Sequence, residues 1–250
     1  MANIITINNV SPLLERNIIL VGKTGTGKSS IANMLVQGDL FEVNQMSVSD
    51  RARGETREFK TGRGCGWAAT DTAGLGECKL GTVDSETALE LIKMTLKESQ
   101  KGFHHIGFVI KKGRIATEEL KDLFELFKTL FAGAEKNFVL IVTNCEDEGW
   151  LDENKDDIRE IFGLIEVISC NFPFNKKKIN KGKEDRKESL VELVKKLKDL
   201  NTESIQPMLC RESTADAAIR KRFEREVSRV LGTGFIERIS ALLKSVWDTQ

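Results

Sequence analysis

The sequence predicts an α/β fold in three layers, a mainly parallel sheet with helices on both faces, followed by a C-terminal helical extension. Three observations predict it. Short apolar runs alternate with amphipathic runs along most of the chain, as strands and crossover helices do in a parallel sheet. The first apolar run, Asn17-Ile18-Ile19-Leu20-Val21, leads directly into Gly22-Lys23-Thr24-Gly25-Thr26-Gly27-Lys28-Ser29-Ser30, which fits the phosphate-binding pattern G-x-x-x-x-G-K-[ST] at every fixed position. Beyond Pro207 the alternation stops and two helical stripes remain. The chain therefore divides into a domain over residues 1–205 and an extension over 206–250.

Each element follows from its own residues. Residues 1–16 form a lead-in, with Asn3–Ile7 as an edge strand or an unstructured start. Ile31, Met34 and Leu35 stand at helical spacing after the glycine loop. Glycines let the backbone wrap phosphate oxygens, and the helix that begins there offers free N–H groups and a favourable dipole. Lys28 is expected to reach the β- and γ-phosphates and the Ser29 hydroxyl to ligate Mg2+. A glycine-rich turn without a ligand is the bland alternative. Residues 37–55 are polar and read as a long loop, which in a compact domain is usually functional. Thr56–Lys60 and Gly66–Thr70 read as an antiparallel hairpin turning at Gly62-Arg63-Gly64.

The second strand of that hairpin ends on Asp71-Thr72-Ala73-Gly74. Position gives this D-x-x-G its weight: Asp71 would act beside the magnesium, through a bound water, and the Gly74 amide would sense the γ-phosphate. Thr56 is the candidate switch threonine, since a hydroxyl suits a hard cation. Thr61, Ser47 and Ser49 compete with it.

Residues 84–100 read as a helix with Ala88, Leu91, Ile92, Thr95 and Leu96 on one face, and Phe103–Ile110 as a core strand. Thr117-Glu118-Glu119 has the look of a helix cap with acids in the first turn. The aromatic residues that follow, Phe124, Phe127 and Phe131, read as core. Asn137–Thr143 is the next buried strand, and it runs into Asn144-Cys145-Glu146-Asp147. A buried Asp at the last of these positions would accept from guanine N1–H and the exocyclic amine, donors that adenine does not present together. An acidic helix start is the plainer reading of the same residues. Ile161–Ile168 leads as a strand-like run to Ser169-Cys170-Asn171, where backbone amides would meet the guanine oxygen. Glu184–Leu200 is amphipathic and closes the sheet.

Composition excludes several classes. Lys plus Arg and Asp plus Glu number 38 each, so the net charge is zero, which argues against a nucleic-acid-binding surface. Five scattered cysteines without C-x-x-C spacing, and two histidines, argue against a zinc site and suit free thiols in a reducing cytosol. No apolar stretch approaches the length of a membrane span, and no signal peptide or lipidation motif is evident. A cytoplasmic protein is expected, with peripheral contact to an intracellular membrane as an option raised by Lys176-Lys177-Lys178. In the extension, Ile219, Phe223, Val227 and Val230-Leu231 form one stripe, and Phe235, Ile239, Leu242-Leu243 and Val246 another. These helices could pack on the domain, mediate self-association or lie on a membrane.

With these motifs in order, the chain resembles the immunity-associated nucleotide-binding family, also called the GIMAP or AIG-type GTPases, relatives of the septins and the chloroplast import GTPases. Gly22–Ser30, Asp71–Gly74, the stretch from His105 through Gly113-Arg114 and Thr117-Glu118-Glu119 to Phe131, and Asn144–Asp147 carry the resemblance over about residues 16–200. Three departures stand out. Ala73 replaces the family's proline, Asn144-Cys145 replace Arg-Lys, and the hydrophobic membrane tail of some members is missing. The resemblance implies a Ras-like P-loop GTPase fold with GTP or GDP as ligand and Mg2+ as cofactor. It also implies association through the nucleotide faces, with Thr56, Asp71–Glu77 and the following helix at the contact. In Ras-like enzymes a glutamine after D-x-x-G orients the attacking water. Leu75 stands there and has no polar atom, so hydrolysis is expected to be slow and no catalytic residue is assigned. Competing readings are a GTP-bound scaffold that barely turns over and a P-loop kinase.

Overall fold

The computed structural model describes residues 15–38, 59–72, 85–145, 149–171, 179–200, 202–231 and 236–248. The expectations for the N-terminal strand, the 37–55 loop beyond Gly38, Thr56, Gly74, Leu75, Asp147 and Lys176–Lys178 fall outside these residues.

Six strands form one sheet in the order β2-β3-β1-β4-β5-β6. They are β1 (Arg16–Val21), β2 (Lys60–Gly64), β3 (Trp67–Asp71), β4 (His105–Lys111), β5 (Phe138–Thr143) and β6 (Glu166–Cys170). All neighbouring pairs are parallel except β2 with β3. This is the α/β fold of the P-loop GTPases, with the phosphate loop leaving the central strand β1. β1 from Ile18 on, β4 between His105 and Lys111, and β5 up to Thr143 are apolar and buried because both faces of the sheet are covered.

The two faces carry separate cores. Ile18, Leu20, Val109, Val139, Ile141 and Ile168 face α1 (Lys28–Gln37) and α6 (Ile179–Asp199), whose Leu193 and Leu197 are fully buried. Ile19, Val21, Ile106, Phe108, Ile110 and Leu140 face the other way. That side holds α2 (Ser85–Ser99), α3 (Glu118–Leu130) and α5 (Lys155–Phe162), with the short α4 (Gly149–Glu153) before α5. The aromatic residues of α3 are core, as their spacing predicts. Phe124 meets Phe108 and Phe162 edge to face, at ring-centre distances of 5.0 and 4.9 Å, the geometry favoured by aromatic quadrupoles.

The extension packs on this second face. In α7 (Ala217–Leu231), Phe223 and Val227 are fully buried, and Arg222 and Arg229 reach Glu125 and Asp122 of α3 at 3.2 and 3.5 Å. In α8 (Ile236–Trp247), Ile239 and Val246 are buried, and the Gln100 amide at the end of α2 donates to the Val246 carbonyl. The described stripes of both helices are thus consumed by packing on the domain.

Three expectations are corrected. The hairpin turns at Cys65-Gly66, not at Gly62–Gly64: both residues have positive φ, 50° and 80°, and the two-residue turn they make matches the strand twist. Ile161-Phe162 end the helix α5, capped at Gly163 by an N–H donated to the Arg159 carbonyl, so β6 begins only at Glu166. The last helix of the domain starts at Ile179, five residues before the expected start at Glu184.

Candidate functional site

The C-terminal ends of the parallel strands gather the predicted phosphate residues. Gly22 leaves β1 at φ 141°, and a Cβ there would stand 2.4 Å from the Val109 carbonyl oxygen of β4. Only glycine allows this approach, so the loop starts pressed against the neighbouring strand. The chain then curls through Thr24 and Gly25, and Gly27, at φ 97°, opens α1. Lys28 is buried, and its ammonium donates to the carbonyls of Gly22 at 3.2 Å and Lys23 at 2.8 Å. The Thr26 hydroxyl donates to the same Lys23 carbonyl at 2.9 Å. Ser30 continues α1 at its first turn.

Ser29 and Asp71 meet here across 42 residues of sequence. The Ser29 hydroxyl donates to Asp71 Oδ2 at 2.6 Å. Asp71 ends β3, is almost fully buried, and its Oδ1 has no hydrogen-bond partner among the described residues. Burial holds its carboxyl above the ordinary value, opposed by the Ser29 hydrogen bond and the Lys28 charge. A buried carboxylate with a spare oxygen beside a hydroxyl is the donor set a hard cation takes. Among the described residues no cluster of three acidic, cysteine or histidine side chains could hold a metal alone. A cation at Ser29 and Asp71 would therefore complete its shell with ligand and water oxygens, as Mg2+ does.

The residues expected at the base stand at the ends of two strands, β5 and β6. Asn144 follows β5 exposed, at φ 55°, a left-handed conformation that Asn tolerates. Cys145 is buried and its N–H donates to the Cys170 carbonyl at 3.3 Å, joining β5 to β6. Ser169 is half-buried. The Cys170 side chain points into the core, where burial pushes its thiol up to about 12, so only its backbone can serve a ligand. The Asn171 amide is already taken by the Ser189 hydroxyl of α6 at 2.9 Å, which removes it as a base contact. Thr61 is likewise withdrawn from the switch role, its hydroxyl lying 2.9 Å from that of Thr70 across the hairpin.

The chain that carries this site has counterparts among known proteins. A model of the AIG1 family matches residues 16–222. The chain belongs to the AIG1 family. Immune-associated nucleotide-binding protein 3 of Arabidopsis thaliana is 25% identical over 147 residues, 59% of this chain and 42% of that protein. Immune-associated nucleotide-binding protein 13 of the same plant is 25% identical over 247 residues, 93% of this chain and 70% of that one. The chain thus spans about two fifths of the first relative's length. Among solved structures, Toc33 from Arabidopsis thaliana in complex with Mg2+ and GMPPNP superposes with a TM-score of 0.52 at 20% identity, over 75% of this chain and 85% of that one. That likeness is one of fold.

Two contacts to the phosphate loop of this AIG1-family chain are not legible in its sequence. The Thr143 hydroxyl donates to the Thr26 carbonyl at 2.7 Å, tying the end of β5 to the phosphate loop. Glu119 of α3 pairs with Lys23 at 2.7 Å. Thr143 is simply the last residue of an apolar run, and Glu119 one of two acids in a helix first turn. Glu119 does stand in the Thr117-Glu118-Glu119 stretch that carries the family resemblance, but nothing in that stretch, or around Thr143, points to the phosphate loop.

Proposed function

We propose that this protein is a guanine-nucleotide-binding switch that takes GTP with Mg2+, hydrolyses it slowly to GDP, and pairs with a second copy in its GTP form. The convergence of Lys28, Ser29 and Asp71 on the glycine loop carries the reading. The Lys28 ammonium, already oriented by two loop carbonyls, would meet the β- and γ-phosphates. The loop amides and the first turn of α1 would receive the phosphate oxygens. Ser29 and Asp71 would hold Mg2+, which when bound neutralises charge on the β- and γ-phosphate oxygens. Thr56 and Gly74 would close over the γ-phosphate, and Asn144 with Asp147 would read guanine.

Family membership supports a nucleotide ligand, and Toc33, of like fold, binds Mg2+ and GMPPNP. Leu75 in place of a water-orienting glutamine supports a slow rate, near the unaided scale of about 10⁻⁴ per second. Calorimetric titration tests the ligand: GDP should bind tightly and ATP should not, and equal affinities would refute guanine selection. Turnover measured against protein concentration tests the pairing. Specific activity that rises with concentration supports it, and a flat, near-zero profile leaves a GTP-bound scaffold instead.

A further inference from the structure

The phosphate loop is held from three neighbouring elements: β4 packs against Gly22, Thr143 of β5 takes the Thr26 carbonyl, and Glu119 of α3 takes Lys23. The third tie leads to the Lys28 ammonium. Lys23 is fixed at both its ends. Its carbonyl accepts from the Lys28 ammonium at 2.8 Å and from the Thr26 hydroxyl at 2.9 Å. Its own ammonium stands 2.7 Å from Glu119 Oε2, with the two side chains only 28% and 33% exposed. The other carboxylate oxygen, Glu119 Oε1, is buried and has no hydrogen-bond partner among the described residues. Glu119 itself is set by the first turn of α3, where the Thr117 hydroxyl accepts from the Leu120 N–H.

We propose that Glu119 is a positioning residue for the phosphate loop, fixing through Lys23 the carbonyl that aims the Lys28 ammonium. The inference rests on the nucleotide site proposed above. A lysine ammonium is a point charge on a flexible stem, so its direction depends on acceptors fixed in advance. A glycine-rich loop leaves those acceptors soft. The ion pair removes that freedom at Lys23, and it does so from an element outside the motif.

Electrostatics alone predicts the opposite sign. A carboxylate near a polyphosphate repels it, so neutralising Glu119 should tighten binding if charge is all that matters. The test titrates the full chain with GDP and with GMPPNP in wild type, Glu119→Gln, Glu119→Asp, Lys23→Met and the Glu119→Gln/Lys23→Met double variant. The expected result is about a tenfold loss of affinity in Glu119→Gln, the scale of coupling within one contact network. Glu119→Asp should keep most of the affinity, and the nucleotide-free unfolding midpoint should not move. The double variant should bind as Lys23→Met does, to within about twofold. Glu119→Gln binding as well as or better than wild type overturns the inference. So do losses that add in the double variant, and this comparison decides the matter even if Glu119→Gln is less stable. A wild type that binds no guanine nucleotide overturns the proposed function and this inference together. A wild type that binds, with Glu119→Gln unaffected, overturns the inference alone.

Discussion

The two ends of the parallel strands are both polar, and they treat polar groups differently. At the N-terminal ends the groups close on one another. The Asn137 amide donates to the carbonyls of Phe103, His104 and Glu203 at 3.1, 2.9 and 2.8 Å. His104 Nδ1 accepts from the Asn17 N–H, and the Thr202 hydroxyl donates to the His104 carbonyl. At the C-terminal ends, Asp71 Oδ1 and Glu119 Oε1 are buried with no hydrogen-bond partner among the described residues. A buried acceptor left unmade costs about 1–3 kcal/mol, so the second arrangement is stable only because the rest of the domain offsets it. One end is a seam that holds the fold, and the other keeps acceptors open where the proposed nucleotide would sit. His105 is the exception at the seam, buried with Nε2 unpaired among the described residues.

Replacing Lys28 by Ala would break the site end alone. Nucleotide affinity should fall by more than about a hundredfold, or roughly 3 kcal/mol, with the nucleotide-free unfolding midpoint little changed; calorimetric titration and thermal melting read the two quantities. Asn137→Ala should do the converse. It takes from the Glu203 carbonyl the donor it has, and leaves the Phe103 and His104 carbonyls with one donor each, the Ile205 N–H and the Thr202 hydroxyl. Urea titration should therefore record a loss of about 2 kcal/mol in stability, while any variant that folds keeps its nucleotide affinity.

Acid sharpens the contrast. Burial, then the Arg16 and His104 charges, lower the His105 pKa from 6.5 to about 4. The unfolded chain therefore binds a proton that the folded one refuses. Stability from His105 is present above pH 6.5 and lost as pH falls toward 4, about 2 kcal/mol of it by pH 5. His105→Asn should flatten that part of the stability profile; an unchanged slope would locate the proton uptake elsewhere. Asp71 has the opposite sign. Its raised pKa means that its contribution is present below the ordinary carboxylate value of 3.8 and lost as pH rises through the folded one. Asp71→Asn should accordingly raise the nucleotide-free midpoint at neutral pH by roughly 2 °C, the smallest of these effects, while weakening Mg2+-dependent binding of GMPPNP.

The seam and the site were unequally readable. G-x-x-x-x-G-K-S is a contiguous string because the loop binds phosphate with its own backbone, so spacing along the chain is spacing in the site. Asp71 and Asn144 could be placed because each follows an apolar run and a parallel sheet brings strand ends to one edge. The Phe124 cluster could be read as core from helical periodicity. The hairpin turn was misplaced because Gly62 and Gly64 are turn residues by composition, whereas the strand register lets only Cys65-Gly66 take the two positive φ angles. α5 was missed because Ile161-Phe162 and Ile165–Ile168 merge into one apolar stretch across Gly163.

By itself, then, the sequence determined the alternation of strands and helices, the phosphate loop and the order of its companion motifs. These depend on local backbone freedom and on one periodicity at a time. The tertiary structure alone decided that Thr143 and Glu119 brace the loop, that Asn171 is claimed by Ser189, and that α7 and α8 spend their apolar stripes on the domain. Each of those is a pairing between residues distant in the chain, chosen by which faces must leave water together, and no stretch of sequence read alone contains both partners.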